Sequence, residues 1–215
     1  MCIISPPILP TRTRLTDLKK DLLVNGLGIL KTLQYAQLVD VERFVYSSSG
    51  CGVYGLESTM PFEEHDISIH LHTPYQVTKL LGELYTNYFH NLYEMPIVNA
   101  RFFNSYGPGE VPGKYRNVIP NFFFWALKGL ALPITGDGTE TRDWTYVGDI
   151  VNGLLAMGVR EAAVGEAFNL GAGVGRVVYY VRTWCEANAM QISRKWAAKF
   201  DLSRCSDMTD FSICT

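Results

Sequence analysis

The chain has 215 residues and a formal charge of -2, with 47% hydrophobic and 19% charged residues, the balance of a globular protein long enough to bury a substantial core. So small a net charge supplies no global field that would draw it onto nucleic acid or an anionic membrane. The five cysteines (Cys2, Cys51, Cys185, Cys205, Cys214) are odd in number, scattered and without a CxxC pair, which argues against a disulfide framework or a structural zinc site.

The most apolar run, Phe122 to Ile134, is interrupted by Lys128 and Pro133 and is too short to span a bilayer. The opening MCIISPPILPTRTR places its apolar patch before its basic residues, the reverse of a secretory signal. A cytoplasmic protein with small-molecule partners, and with neither nucleic acid nor membrane among them, is expected.

Leucines at 22, 23, 27, 30 and 33 have helical spacing and predict a helix over 18–38. VERFVYSSSG then reads as a strand that ends in a Ser/Gly cluster, and 50–72 as a long polar loop. A second helix is predicted from Pro74 to about Tyr93, with Leu80, Leu81, Leu84, Tyr88 and Leu92 on one side. A strand over 96–103 follows, broken by Tyr106-Gly107-Pro108-Gly109. Next come a helix at 119–130, a short strand near 132–135, an extended piece at 142–147, a helix at 149–159 and a strand at 167–170. Strands alternating with helices predict an α/β chain built on a mostly parallel sheet covered on both faces.

The ends fit less well. Residues 1–17 hold neither the strand, the Gly-rich turn nor the helix with which a doubly wound dinucleotide fold opens. Beyond Gly175 no clear amphipathic period is visible, and Val177 to Val181 reads as strand more than helix. The expectation is truncation at the front and a reading-frame error over 176–215.

The chemistry centres on Tyr75-Gln76-Val77-Thr78-Lys79. On a helix, side chains at i and i+4 share a face, and an ammonium beside a phenol favours the phenolate, so Tyr75 can act as a base well below its free pKa of ~10. Upstream lies Ser47-Ser48-Ser49-Gly50 at the C-terminal end of a strand, where open α/β sheets place their sites. Downstream come Phe102-Phe103-Asn104-Ser105-Tyr106-Gly107-Pro108-Gly109, and then Gly138, Arg142-Asp143-Trp144, Tyr146-Val147 and Asp149.

This ordered set, over about residues 18–173, resembles the extended short-chain dehydrogenase/reductases, specifically the NAD-dependent epimerase/dehydratase group that includes UDP-glucose 4-epimerase. The resemblance implies the later part of a Rossmann-type parallel sheet with a small interleaved substrate-binding domain: 1–110 a partial NAD-binding domain without the Gly-rich first βαβ unit, 111–175 substrate-binding, 176–215 an atypical tail. It assigns Tyr75 as the base and Lys79 as the group that holds the nicotinamide ribose. Asn25, Ser47 and Phe102 stand near NAD, Asn104 and Asn117 near the substrate, and Arg142 on its phosphates, for which a forked guanidinium is suited. Asn25 also suits helix packing, and Asn117 an N-cap.

The family's active-site hydroxyl stands four residues before the Tyr of a VYG motif. Counting back from Tyr54 gives Gly50, so the oxygen comes from Ser49 or Ser48, with Ser49 favoured. The related 4,6-dehydratases follow that hydroxyl with an acidic pair. Cys51 and Gly52 stand here, so C4 epimerisation of a nucleoside-diphosphate sugar through a 4-keto intermediate is expected over a 4,6-dehydratase or decarboxylase. A non-catalytic fragment that only binds nucleotide sugars is the reading from another class. The helices at 18–38 and 74–93 match those that pair family members into homodimers through a four-helix bundle. The glycines at 171, 173 and 175 lack GxGxxG spacing and are read as a turn, not a cofactor loop.

Overall fold

A computed structural model describes residues 2–4, 18–55, 58, 60–113, 117–134 and 136–196. It divides into two compact units. One holds the residues up to Phe103 together with Gly148–Gly171; the other holds Asn104–Val147 and the residues from Ala172 onward. The chain leaves the first unit at Phe103, ahead of the boundary expected near 110, because the strand that begins at Asn104 joins a different sheet.

The first unit carries four parallel strands in the order β1 (Cys2–Ile4), β2 (Phe44–Ser49), β3 (Ile97–Phe102), β6 (Ala167–Leu170). Side chains on a strand alternate between faces, and both faces are covered. Phe44, Tyr46 and Ile97 pack with Ile29 and Leu33 of helix α2 (Gly28–Leu38) and with Phe89 of α4 (Pro74–Tyr93). On the opposite face Val45, Val98 and Ala100 meet Met157 of α6 (Val147–Val159).

The helix expected over 18–38 is a composite. A short α1 (Leu18–Asp21) leads into a π-helical stretch, Leu22–Leu27, and then into α2. The long helix α4 begins where its sequence dictates. Thr73 and Gln76 form a reciprocal capping box around Pro74, which satisfies backbone donors at a helix start that lacks intrahelical partners.

In the second unit β4 (Asn104–Tyr106) runs parallel to β5 (Thr141–Tyr146), and β5 runs antiparallel to β7 (Gly175–Val177). Its core joins Ile119, Phe122 and Phe123 of α5 (Val118–Leu127) to Val181, Cys185 and Ala189 of α7 (Val178–Trp196).

Four expectations need correction. Cys2–Ile4 does form a strand, parallel to β2, although residues 1–17 were read as holding none. Gly50–Val53 is a single helical turn, α3, rather than loop. Leu132 to Ile134 is not a strand, since Pro133 has no amide to give a ladder. Val178–Trp196 is a helix despite its β-branched, aromatic start. Val181, Cys185 and Ala189 recur every four residues and are buried against α5, so packing overrides propensity. The tail from 197 to 215, expected to be frame-shifted, lies outside the described residues.

Candidate active site

Tyr75 is the second residue of α4, and Lys79 follows one turn later on the same side. The Lys79 ammonium is 5.6 Å from the centre of the Tyr75 ring and 5.5 Å from that of Tyr46. It donates a 2.6 Å hydrogen bond to the carbonyl of Ser47 and is almost completely buried. A buried ammonium needs such partners, because desolvation otherwise drives it neutral. Tyr75 keeps partial exposure and stands in the first turn, where the helix dipole favours negative charge. Burial, with Glu83 and Tyr75 adding to it, pushes the Tyr46 phenol far above the usual tyrosine range, so Tyr46 is a neutral packing residue.

The three serines have different neighbours. The Ser48 hydroxyl points to α4 and donates a short hydrogen bond to Glu83 Oε1. Ser49 is the residue before α3, packed so that a Cβ on Gly52 would lie 2.9 Å from its Cβ and 3.1 Å from its Oγ. That same Cβ would be 3.6 Å from the Lys79 side chain, so Gly52 keeps the serine close to the lysine. Phe102 ends β3 directly opposite Ser49 in the ladder.

Asn25 is buried in the π-helical stretch. Its Nδ2 donates to Asp21 Oδ1 at 2.8 Å, and Thr78, between Tyr75 and Lys79, donates to Asp21 Oδ2 at 2.8 Å. Asn25 Oδ1 is buried without a hydrogen-bond partner among the described residues. A single-turn π segment bearing an orphaned acceptor is a feature often found at functional sites.

The sequence reading missed a buried ion pair. Glu83, one turn beyond Lys79, accepts from Arg101 Nε and Nη2 at 3.0 and 2.7 Å, and both side chains are 2% exposed. Burial works against the Arg101 charge, but the bonds and charge of Glu83 hold its pKa above the usual arginine value. Arg101 Nη1 reaches the Tyr54 hydroxyl at 2.9 Å and the carbonyl of Glu64 at 2.5 Å. Burial raises the Tyr54 phenol, with Arg101 opposing. The spacing 75, 79, 83 was the available signal; what it lacked was Arg101, one sheet strand away.

In the second unit, Asn104 Nδ2 donates to the carbonyl of Asp143 at 3.2 Å. Asn117 sits at the N-cap position of α5 without capping it; its Nδ2 donates to Glu110 Oε1 at 2.6 Å. Arg142 is exposed and donates to its neighbour's carbonyl at 2.8 Å, with no ion pair among the described residues. Asp143 accepts from the amides of Ala172 and Gly173, both at 2.8 Å. The glycine run thus wraps a carboxylate of this chain, as expected of a turn rather than a cofactor loop. No group of His, Cys, Asp and Glu that could hold a metal ion occurs among the described residues.

A parallel sheet of Rossmann type, with a Tyr–Lys helix packed at the carboxyl end of a serine-bearing strand, defines an α/β scaffold of the kind that serves nicotinamide cofactors. The sequence matches the model of the NAD dependent epimerase/dehydratase family over residues 12–171, and the chain belongs to that family. It is 35% identical over 154 residues to the UDP-glucose 4-epimerase of Mycolicibacterium smegmatis, covering 72% of this chain and 49% of the relative. Identity is 34% over 151 residues to a dTDP-glucose 4,6-dehydratase of Actinoplanes, covering 69% and 45%. Among solved structures, an epimerase from Methanothermobacter thermautotrophicus superposes with a TM-score of 0.85 at 66% identity, covering 92% of this chain and 61% of that one. The UDP-glucose 4-epimerase of Thermotoga maritima, solved with UDP-glucose, gives 0.81 at 28%, covering 87% and 60%. The chain spans about half the length of the curated relatives it matches. No described helix is long and apolar enough to cross a membrane.

Proposed function

We infer that this chain carries the proton-transfer part of an NAD-dependent enzyme that inverts C4 of a nucleoside-diphosphate sugar. The observation that carries the reading is the Lys79 ammonium, bound to the Ser47 carbonyl and lying 5.6 Å from the Tyr75 ring centre. A positive charge and a helix N-terminus beside one phenol favour its ionised form, which a base needs. Tyr75 takes the proton from the C4 hydroxyl, and Ser49 bridges the sugar oxygen and the tyrosine oxygen. The orphaned Oδ1 of Asn25 and the Lys79 ammonium suit the hydroxyl-rich nicotinamide ribose, with Ser47 and Phe102 lining that end. NAD, when bound, supplies the hydride acceptor and then the donor. Once the 4-keto sugar has turned in the pocket, so that hydride would be returned to the other face of C4, Tyr75 gives the proton back to the C4 oxygen. Arg142, exposed and without an ion pair among the described residues, pairs with the diphosphate, and Asn104 and Asn117 flank it.

Elimination of water is disfavoured, since the residues after Gly50 are Cys51 and Gly52 rather than an acidic pair. The dehydratase and decarboxylase relatives keep it as the rival. Incubation with NAD and UDP-glucose, followed by product analysis, decides: UDP-galactose supports epimerisation, and a 4-keto-6-deoxy product from UDP- or dTDP-glucose replaces it. Tyr75→Phe should abolish either.

The reading from another class is a chain that holds a nucleotide sugar without turnover. Protection against heat by a nucleotide sugar, with no NAD bound, would select it. The expected homodimer is supported by the apolar side chains that α4 leaves exposed: Leu84, Tyr88 and Leu92 at four-residue spacing, beside Leu22 and Leu23 of the π-helical stretch. Light scattering showing a monomer would remove that assembly.

A further inference from the structure

The geometry points to Glu83 and Arg101 as positioning residues that set Ser49 and Lys79 in a fixed relation, an inference that rests on the proposed roles of those two residues. Helix α4 is joined to strand β2 through consecutive serines. Lys79 holds the Ser47 carbonyl, and the next hydroxyl, Ser48, is bound by Glu83 one turn along the same helix stripe. Arg101 enters from β3, where it is the ladder partner of Ser48, and closes on Glu83 through two nitrogens.

Its remaining nitrogen, Nη1, does different work. It holds the Tyr54 hydroxyl, and Tyr54 is the residue that ends α3. The Tyr54 hydroxyl is bound again to Asn169 Oδ1 at 2.5 Å, and its ring stacks on Phe62 at 4.7 Å. Asn169 ties back to the same loop through the Phe62 carbonyl and Glu64 Oε1. The pair therefore grips both flanks of the Ser49-to-α3 segment, Ser48 before it and Tyr54 after it, as well as the helix that carries Tyr75 and Lys79. Bidentate arginine geometry gives this clamp a fixed angle that a lysine does not reproduce.

The test uses the full chain and needs neither cofactor nor sugar, so its failure is separate from failure of the proposed reaction. Two readouts apply to folded protein, as judged by circular dichroism: the acetylation rate of Lys79, quantified by mass spectrometry, and amide exchange over residues 50–55. Replacing the pair by apolar residues of similar volume, E83L/R101M, retains the fold and frees the stripe, so Lys79 should acetylate about tenfold faster or more. R101K keeps a charge opposite Glu83 but gives up the Nη1 contacts, so exchange over 50–55 should rise about tenfold while Lys79 stays protected. A pair that is only a stability element lowers the melting temperature without moving either readout in the folded state. Wild-type labelling in a folded E83L/R101M, or unchanged exchange over 50–55 in R101K, overturns the assignment. Should the double variant not fold, R101K alone decides.

Discussion

Gly82→Ala measures how closely helix α4 lies on the sheet. On an exposed helix this change stabilises by about 1 kcal/mol, since alanine is the better helix former. Here an added Cβ would fall 2.0 Å from the Tyr46 hydroxyl oxygen, 2.3 Å from Cζ and 2.9 Å from Cε1. Non-bonded heavy atoms sit at about 3.5–4.0 Å, so the ring or the helix must move by roughly 1.5 Å. Tyr46 is 0% exposed and packed among Phe44, Ile97 and Phe89, so nothing soft is available to move. Overpacking of such a core costs about 1–3 kcal/mol, and an overlap this deep belongs at the upper end. Net of the propensity gain, the variant should lose about 2 kcal/mol, or about 4–8 °C in Tm. Urea titration read by circular dichroism gives the value. In a Tyr46→Phe background the closest overlap disappears, and the cost of Gly82→Ala should shrink in a double-mutant cycle. A Gly82→Ala variant as stable as the parent, or a cycle showing strict additivity, would refute the close approach of α4 to β2.

Two more predictions are local. Thr73→Ala removes a side-chain acceptor from the capping box of α4 and should cost about 1 kcal/mol in the same titration, with amide exchange rising first near Tyr75; an unchanged midpoint would show that the cap contributes nothing. Burial pushes the Cys185 thiol from its ordinary 9.0 up to about 12. The folded chain then keeps a proton that the unfolded chain gives up, so this contribution is intact below pH 9 and is lost as pH climbs toward 12. Urea midpoints should therefore fall between pH 9 and 10.5 and fall less in Cys185→Ala; parallel slopes in the two proteins would contradict the burial of the thiol.

Much of this was legible from spacing alone. The 44–49 and 97–102 strands, the Pro74 helix start and the Tyr75–Lys79 stripe depend on local chemistry: β-branched runs, a Thr-Pro-x-Gln cap and a four-residue period. Glu83 and Arg101 were illegible because each reads as a solvated charge until a helix and a strand are brought together. The same holds for α7, whose buried stripe of Val181, Cys185 and Ala189 is chemically unremarkable until α5 is laid against it. The choice between Ser48 and Ser49 is a matter of one residue of register that spacing alone cannot make; the Ser48 hydroxyl is bound to Glu83, and Ser49 lies against Gly52.

Asp143 gives the glycine turn at 171–173 a self-contained ligand. An incoming phosphate would have to evict a tethered anion that already takes both amides and the Thr145 hydroxyl, so soluble nucleotides compete there at a standing disadvantage. The neighbouring guanidinium of Arg142, its acidic sequence partner engaged elsewhere, remains open to anions from solution. With Arg142 on the proposed diphosphate, one arginine–aspartate dipeptide would separate two tasks that its charges would otherwise cancel.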